Sequence, residues 1–164
     1  LLERGDHFHA HFRRACGEDV DLGIRAARAG ADVAYAPDAL VYHAVHQPSL
    51  AARVRHARIW SDAVLTLKLY PELRSMLIGG LFWKRTHALL LLAAGGGAVS
   101  IAKRSLLPAL LSSLAYVEHY RRVYSDADES LLEAGHHLPA HLLVDSVEVA
   151  TMIEGSLRHR TLML

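Results

Sequence analysis

The N-terminal part of the chain changes from a helical to an extended pattern of hydrophobic positions. Residues 18–29, EDVDLGIRAARA, space apolar side chains as one face of a helix does, with acidic residues first and arginines last. Gly30 follows as a stop signal. Residues 31–37, ADVAYAP, and 39–43, ALVYH, then predict two short strands joined by a turn at Pro37 and Asp38.

The remainder of the chain carries helical patterns. Residues 50–70 predict one long amphipathic helix that ends at Pro71. Residues 88–102 and 106–117 contain no charged residue, and residues 139–157 predict a last amphipathic helix that begins at Pro139. A run of three glycines at 95–97 favours close helix packing or a kink, because it lacks the ending of a phosphate-binding loop. We therefore expect an α/β N-terminal part followed by a mostly α-helical region.

The two uncharged stretches leave three relationships to a membrane open. A helix over residues 88–102 would be roughly 22 Å long at about 1.5 Å per residue, shorter than the roughly 30 Å hydrocarbon core of a bilayer. Basic pairs lie before, between and after the stretches, at residues 84–85, 103–104 and 121–122. A spanning hairpin would put basic residues on both sides of the membrane, whereas two helices on the cytoplasmic surface suit all three pairs. Burial in the core of a soluble domain is the third alternative.

Composition narrows the class of partner. The net charge of +1 provides no basic field, so we expect no nucleic-acid partner. The single cysteine, Cys16, excludes an internal disulfide and is typical of a reducing compartment. The sequence opens without Met or a secretory signal pattern, and we expect it to be the C-terminal part of a longer protein.

Three acidic residues at the start of the first predicted helix are the main candidates for chemistry. Glu18, Asp19 and Asp21 follow Gly17 closely. Acidic residues in a first helical turn gain about 0.3–1 kcal/mol each from the helix dipole, so a purely structural role is one interpretation. A catalytic base is the other, because a carboxylate in this position is favoured in the ionised form that accepts a proton.

The sequence that follows these acidic residues favours the catalytic interpretation. The string GEDVDLGIRAARAGADVAYAPDALVYH, residues 17–43, resembles the C-terminal part of the catalytic domain of family 2 glycosyltransferases. The matching positions are Glu18-Asp19, Asp21-Leu22, Arg25, Ala29-Gly30, Pro37, Ala39 and His43. The resemblance covers residues 1–70 and departs from the family within residues 5–12, where Asp6 and His9 replace the usual Gly and Asp.

This resemblance implies a fold, a reaction and site residues. The fold is a partial GT-A fold, an α/β fold of the nucleotide-diphospho-sugar transferase type. The reaction is transfer of a sugar from a nucleotide-sugar donor to an acceptor hydroxyl, with inversion. Asp19 matches the general base and Glu18 supports it, while Arg25 and Arg53 are candidates for binding the acceptor or the diphosphate. His43 is a candidate metal ligand, with a histidine that merely closes a strand as the alternative.

The same resemblance implies a divalent metal, Mg²⁺ or Mn²⁺, which the family holds mainly through an upstream DXD motif. No DXD motif follows an apolar strand here; Asp126-Ala127-Asp128 has the spacing but lies in polar sequence. We therefore expect an inverting glycosyltransferase in the full-length parent, and an inactive fragment in isolation.

Two regions and two functions are predicted. Residues 1–70 are the expected C-terminal portion of a GT-A catalytic domain, and residues 71–164 the expected helical, membrane-associated extension. The expected partners are a nucleotide-sugar donor, a glycan or lipid-linked acceptor and the membrane surface. We expect a location at the cytoplasmic face of the cell membrane and a role in cell-envelope polysaccharide or glycolipid synthesis. The alternative is a non-catalytic, membrane-associated helical interaction module.

Overall fold

The computed structural model describes residues 8–32, 34–42, 48–126 and 131–164, and the regular elements in these ranges are helices. The α-helices are α1 (Glu18–Arg28), α2 (Leu50–Ala57), α3 (Ala63–Leu69), α4 (Arg85–Lys103), α5 (Leu107–Asp126) and α6 (Leu131–His159). Two 3₁₀ segments, Arg58–Ser61 and Pro71–Met76, flank α3.

The prediction of an α/β fold, a partial GT-A sheet, is wrong for the described residues. They contain no strand or sheet, only an isolated antiparallel bridge between Ile78 and Phe82. The predicted turn at residues 37–38 is present, but the described residues on either side of it have no regular secondary structure. Tyr35 is 91% exposed and Tyr42 is 94% exposed. A strand requires a hydrogen-bonded neighbour, and no described segment pairs with these residues.

Two predicted helices differ from the observed ones. The segment 50–70 is interrupted, because the chain tightens into a 3₁₀ turn at residues 58–61 before α3 begins. The last helix begins at Leu131, so Pro139 lies inside α6 rather than at its start. The rings of His137 and His141 on both sides of Pro139 contact the ring of Tyr124 in α5, at centroid distances of 5.5 and 5.8 Å. These contacts hold the first turns of α6 against α5 despite the proline.

Helix α6 lies at the centre of the fold, in contact with α2, α3, α4, α5 and the 3₁₀ turn 58–61. The buried core combines the middle and the C-terminal part of the chain: Val64, Leu67, Leu77, Met152 and Met163. The C-terminal residue closes this core, because the Leu164 amide donates to the Leu81 carbonyl at 2.9 Å. The two predicted regions therefore share one core, and the boundary at residue 70 stays a prediction.

Helices α4 and α5 form a hairpin with an exposed apolar surface. Gly96 permits their close approach, since a Cβ atom there would lie 1.9 Å from Ser112 Oγ and 2.8 Å from the Pro108 carbonyl oxygen. This confirms close packing as the role of the glycine run at position 96. Helix α4 has the length and composition to cross a bilayer, and 11% of its apolar window is buried. One such helix is weak support for spanning, so the membrane relationship stays open, although the exposure disfavours a buried core.

Candidate active site beside the first helix

The loop that precedes α1 is fixed by a buried carboxylate. Asp62 Oδ2 accepts hydrogen bonds from the backbone amides of Arg13 and Arg14, each at 2.8 Å. Arg158 of α6 lies 3.6 Å from the other carboxylate oxygen. Because Asp62 sits between the 3₁₀ turn and α3, it joins the loop to the centre of the fold. A charge-assisted bond to two amides is stronger than neutral pairs, so this loop has a defined position.

The start of α1 is pressed against α3 through Gly17. Gly17 has φ +94°, a left-handed conformation that favours glycine. A Cβ atom there would lie 2.0 Å from Thr66 Oγ1 and 3.3 Å from the Phe12 ring. The absence of a side chain at Gly17 therefore brings Glu18 and Asp19, the first residues of the helix, to the surface of α3.

The other acidic residue of the cluster fixes the helix rather than capping it. Asp21 is buried, with Oδ2 2.9 Å from Arg25 Nε and Oδ1 accepting from the Tyr70 hydroxyl at 2.7 Å. No side chain caps the N-terminus of α1. Asp21 therefore has a structural role, because its carboxylate ties α1 to the chain after α3.

A cavity of about 400 Å³ opens beside the first turn of α1. Its lining comes from five parts of the chain: residues 15–20, Trp60, residues 63–67, the segment 73–83 and Met163. Most lining side chains are apolar, and the rings of Trp60 and Trp83 lie 5.4 Å apart at its wall. A cavity of this size falls in the range that holds one small-molecule ligand.

Three polar atoms of the cavity lining are buried without a hydrogen-bond partner among the described residues. They are Glu18 Oε2, Trp60 Nε1 and Thr66 Oγ1. Buried polar groups in folded proteins are nearly always hydrogen-bonded, so these atoms are exceptions. They have almost no accessible surface, and Thr66 Oγ1 lies against Gly17, so they lie behind the cavity wall rather than at its surface. Glu18 and Asp19 are the charged residues of the lining.

The structure brings Asp19 and Glu18 together at this cavity. The Asp19 carboxylate is exposed, and Oδ1 accepts a hydrogen bond from the Val20 amide at 2.8 Å. An exposed carboxylate at a cavity mouth is accessible to a ligand hydroxyl. Burial raises the pKa of Cys16 to about 11, and the negative charge of the nearby Glu18 carboxylate is the second largest cause. The thiol is therefore protonated at neutral pH and is not a nucleophile.

The two predicted arginines do not line this cavity. Arg25 is paired with Asp21, as described above. Arg53 of α2 has Nη2 3.3 Å from His141 Nδ1, and His141 Nε2 lies 2.6 Å from the Tyr124 hydroxyl. Burial lowers the pKa of His141, and the positive charge of Arg53 is the second largest cause. Roles of these arginines in diphosphate binding stay predictions, and His43 lies outside the described residues.

A buried ionic group joins α4 to α6. Lys84 Nζ donates to both carboxylate oxygens of Glu148, at 2.6 and 2.8 Å, and His87 Nε2 lies 3.0 Å from Oε2. Burial acts to raise the pKa of Glu148, but hydrogen bonds from His87 and Lys84 outweigh it, and the net pKa is lowered. Glu148 is therefore ionised at neutral pH.

A second buried carboxylate extends this group to α5. Asp145 Oδ2 accepts from the hydroxyls of Tyr116 and Tyr120, both at 2.8 Å. The ligating atoms of His87, Asp145 and Glu148 lie within 4.8 Å of one another, a geometry that admits a metal ion. Both carboxylates have protein donors and join three helices, whereas the buried His87 Nδ1 has no hydrogen-bond partner among the described residues.

Sequence reasoning missed several residues of these sites. Asp62, between the 3₁₀ turn and α3, and the pair Asp145 and Glu148, on α6, are buried, as are apolar residues near them in the sequence such as Val64 and Met152. Acidic residues in the apolar register of an amphipathic helix are the signal that would have found them. Nothing in the sequence indicates that Trp60 and Trp83 meet.

Comparison with known proteins supports the class that this site suggests. Residues 2–63 match the family model described as glycosyltransferase like family 2. No curated protein and no solved structure gives a significant match to the chain. Residues 2–63 are therefore similar to family 2 glycosyltransferases, which supports the resemblance drawn from residues 17–43.

Glycosyltransferases of this family commonly use a divalent metal. The carboxylates that line the cavity are those of Glu18 and Asp19, and the rest of its lining is largely apolar. Metals of the Mg²⁺ and Mn²⁺ type require several oxygen ligands arranged around one point. The described residues of this cavity do not fit such an ion, and the group at His87 is built from other elements.

Proposed function

We propose that the full-length protein transfers a sugar from a nucleotide-sugar donor to an acceptor hydroxyl with inversion, and that Asp19 is the general base. The observation that carries this proposal is the position of Glu18 and Asp19 in the lining of a cavity that is otherwise largely apolar. The family match over residues 2–63 supports the reaction class.

The chemistry of the proposed step needs few groups on the acceptor side. An acceptor hydroxyl in the cavity mouth loses its proton to Asp19 as its oxygen attacks the anomeric carbon of the donor. The nucleoside diphosphate departs from the opposite face, which inverts the configuration. Glu18, which also lines the cavity, helps to hold the reactive hydroxyl beside Asp19.

Substitution of the base tests the proposal directly. Asp19→Asn keeps the size of the side chain and removes the proton acceptor, so we expect kcat of the full-length enzyme to fall by about 10²–10⁴-fold. Asp38→Asn is the matched control, because Asp38 is also exposed but does not line the cavity. Transfer rates and circular dichroism of both variants are measured together. Normal transfer by a folded Asp19→Asn protein would refute the role of Asp19.

We also propose that the α4–α5 hairpin lies on the cytoplasmic membrane surface, where lipid-linked acceptors are found. Exposed leucines cover its outer surface, among them Leu92, Leu110, Leu111 and Leu114. Basic pairs at its start and at its tip suit anionic headgroups. In vesicle flotation, the protein should float with anionic vesicles, and Leu110→Ser with Leu114→Ser should reduce the floating fraction. Equal flotation of wild type and variant would contradict this arrangement.

The second candidate function is a non-catalytic, membrane-associated helical module. The exposed apolar hairpin favours it independently of the acidic residues. This candidate predicts that Asp19→Asn changes no activity of the full-length protein, while the hairpin variant loses membrane binding.

A further inference from the structure

We infer that the acceptor has an apolar body, which occupies the cavity between α1, α3 and Trp83, and a hydroxyl-bearing end at Glu18. This inference rests on the proposed sugar transfer and names the substrate class of the same site. An alkyl or aryl glycoside has this chemistry, whereas a free oligosaccharide does not.

The lining of the cavity is the first argument for an apolar body. The wall away from the carboxylates is formed by Trp60, Trp83 and the aliphatic side chains Leu67, Leu73, Leu77 and Met163. Burial of apolar ligand surface against such a wall contributes roughly 25 cal/mol per Å². A glycan would bring hydroxyls into the same space, and each buried hydroxyl without a partner would weaken binding.

The two acidic residues at the cavity are the second argument, because they provide polar contacts at one end of it. Asp19 is exposed, Glu18 is half-buried, and both line the cavity. A carboxylate accepts hydrogen bonds from a hydroxyl. A ligand that presents one or two hydroxyls at this end, and an apolar body along the rest of the wall, matches both parts of the lining.

The volume of the cavity supports one small molecule rather than a polymer. About 400 Å³ is sufficient for a sugar ring and a short alkyl or aryl group, but not for several sugar rings. The apolar wall continues toward Trp83, which directly precedes the basic residues at the start of α4. An acceptor that projects from a membrane surface at the hairpin would therefore enter from that side.

Tryptophan fluorescence reports this site selectively, because the chain has two tryptophans and both line the cavity. The probes are n-octyl β-D-glucoside below its critical micelle concentration and methyl β-D-glucoside, which has the same sugar without the tail. In the full-length protein the response of these two residues is followed as the difference from a Trp60→Phe, Trp83→Phe variant. We expect a saturable change with the octyl glucoside and none with the methyl glucoside at equal concentration.

Two exposed residues provide a matched pair of variants. Met76 lies on the rim of the cavity and is 75% exposed, while Leu157 on α6 is 76% exposed and does not line it. Met76→Asp should raise the dissociation constant of the octyl glucoside about fivefold or more, because a charge at the rim stays hydrated. Leu157→Asp should change it less than about twofold, because it lies outside the contact.

The same titration separates this inference from the proposed transfer. Asp19→Asn, which removes the proposed base, should lower the transfer rate far more than it raises the dissociation constant of the octyl glucoside. Equal responses to the two glucosides, or equal effects of Met76→Asp and Leu157→Asp, would overturn the apolar acceptor and leave the reaction class standing. Normal binding without transfer in the wild type would overturn the reaction and leave the cavity standing.

Discussion

At Gly155, helix α6 packs tightly against the backbone of Ser61, the residue after Trp60 of the cavity wall. A Cβ atom at Gly155 would lie 2.5 Å from the Ser61 carbonyl oxygen, 2.9 Å from Val64 Cγ2 and 3.0 Å from Ser61 Cα. Two of these atoms belong to the backbone, so no rotamer change relieves the contact. Gly155→Ala should therefore push α6 away from the 3₁₀ turn that holds Trp60.

The size of the effect follows from two opposing contributions. Replacing a helical glycine by alanine stabilises a helix by about 0.5–1 kcal/mol. Overpacking a tight contact costs about 1–3 kcal/mol. Since ordinary contacts begin at 3.4 Å, the helices must separate by several tenths of an ångström. We expect Gly155→Ala to lower the free energy of unfolding by about 1–2 kcal/mol. Each kcal/mol corresponds to a decrease of roughly 2–4 °C in Tm.

Gly97 provides the matched control, because it lies within α4 and has nothing within 4 Å of an added Cβ atom. Gly97→Ala should raise the free energy of unfolding by about 0.5–1 kcal/mol. Urea titrations followed by circular dichroism compare the two variants with wild type. The comparison requires that the dependence of the unfolding free energy on urea concentration, the m-value, is the same for all three proteins. If Gly155→Ala stabilises the protein as much as Gly97→Ala, the close approach of α6 to Ser61 is not real.

Three further predictions concern the hairpin, the pH dependence and the loop before α1. Gly96→Ala should destabilise the protein in the same urea assay, because its Cβ atom would meet Ser112 Cβ at 2.6 Å; stabilisation would refute this packing. Since the pKa of His141 is lowered, the folded state binds a proton less readily than the unfolded state, and the free energy of unfolding should fall as pH drops from 7.5 to 5.5. His141→Gln should reduce that slope, and an unchanged slope would exclude His141 as its source. Asp62→Ala should speed tryptic cleavage after Arg13 and Arg14, whose amides it binds; unchanged cleavage would contradict the anchoring role.

Local signals in the sequence were sufficient for helix α1 but not for every helix. Helix α1 was predicted at its observed position, because acidic and basic residues at its two ends and a glycine after it act within one segment. The start of α6 was misplaced, because contacts of His137 and His141 with Tyr124 outweigh the local effect of Pro139. The predicted strands at 31–37 and 39–43 failed for a related reason, since pairing depends on a neighbour that the local pattern does not specify.

The candidate site was predictable in part. Glu18 and Asp19 were identified from their order in the chain, and the structure places both at a cavity. The cavity itself depends on which distant segments meet, and the sequence carries no signal for the contact between Trp60 and Trp83. Asp62 escaped notice because a carboxylate beside an arginine-rich helix resembles a surface residue until its burial is known.

The division of the site between two parts of the chain has a consequence for specificity. The family match ends at residue 63, and this part supplies both carboxylates and Trp60. Thr66, Leu73, Leu77, Trp83 and Met163 lie beyond it and form most of the remaining wall. Residues that accept a proton are constrained by the reaction, whereas wall residues are constrained by the shape of the acceptor. Substitutions beyond residue 63 should therefore change which acceptor binds and leave the proposed proton transfer by Asp19 intact. In kinetics with one acceptor, such a variant should show an altered KM and an unaltered kcat.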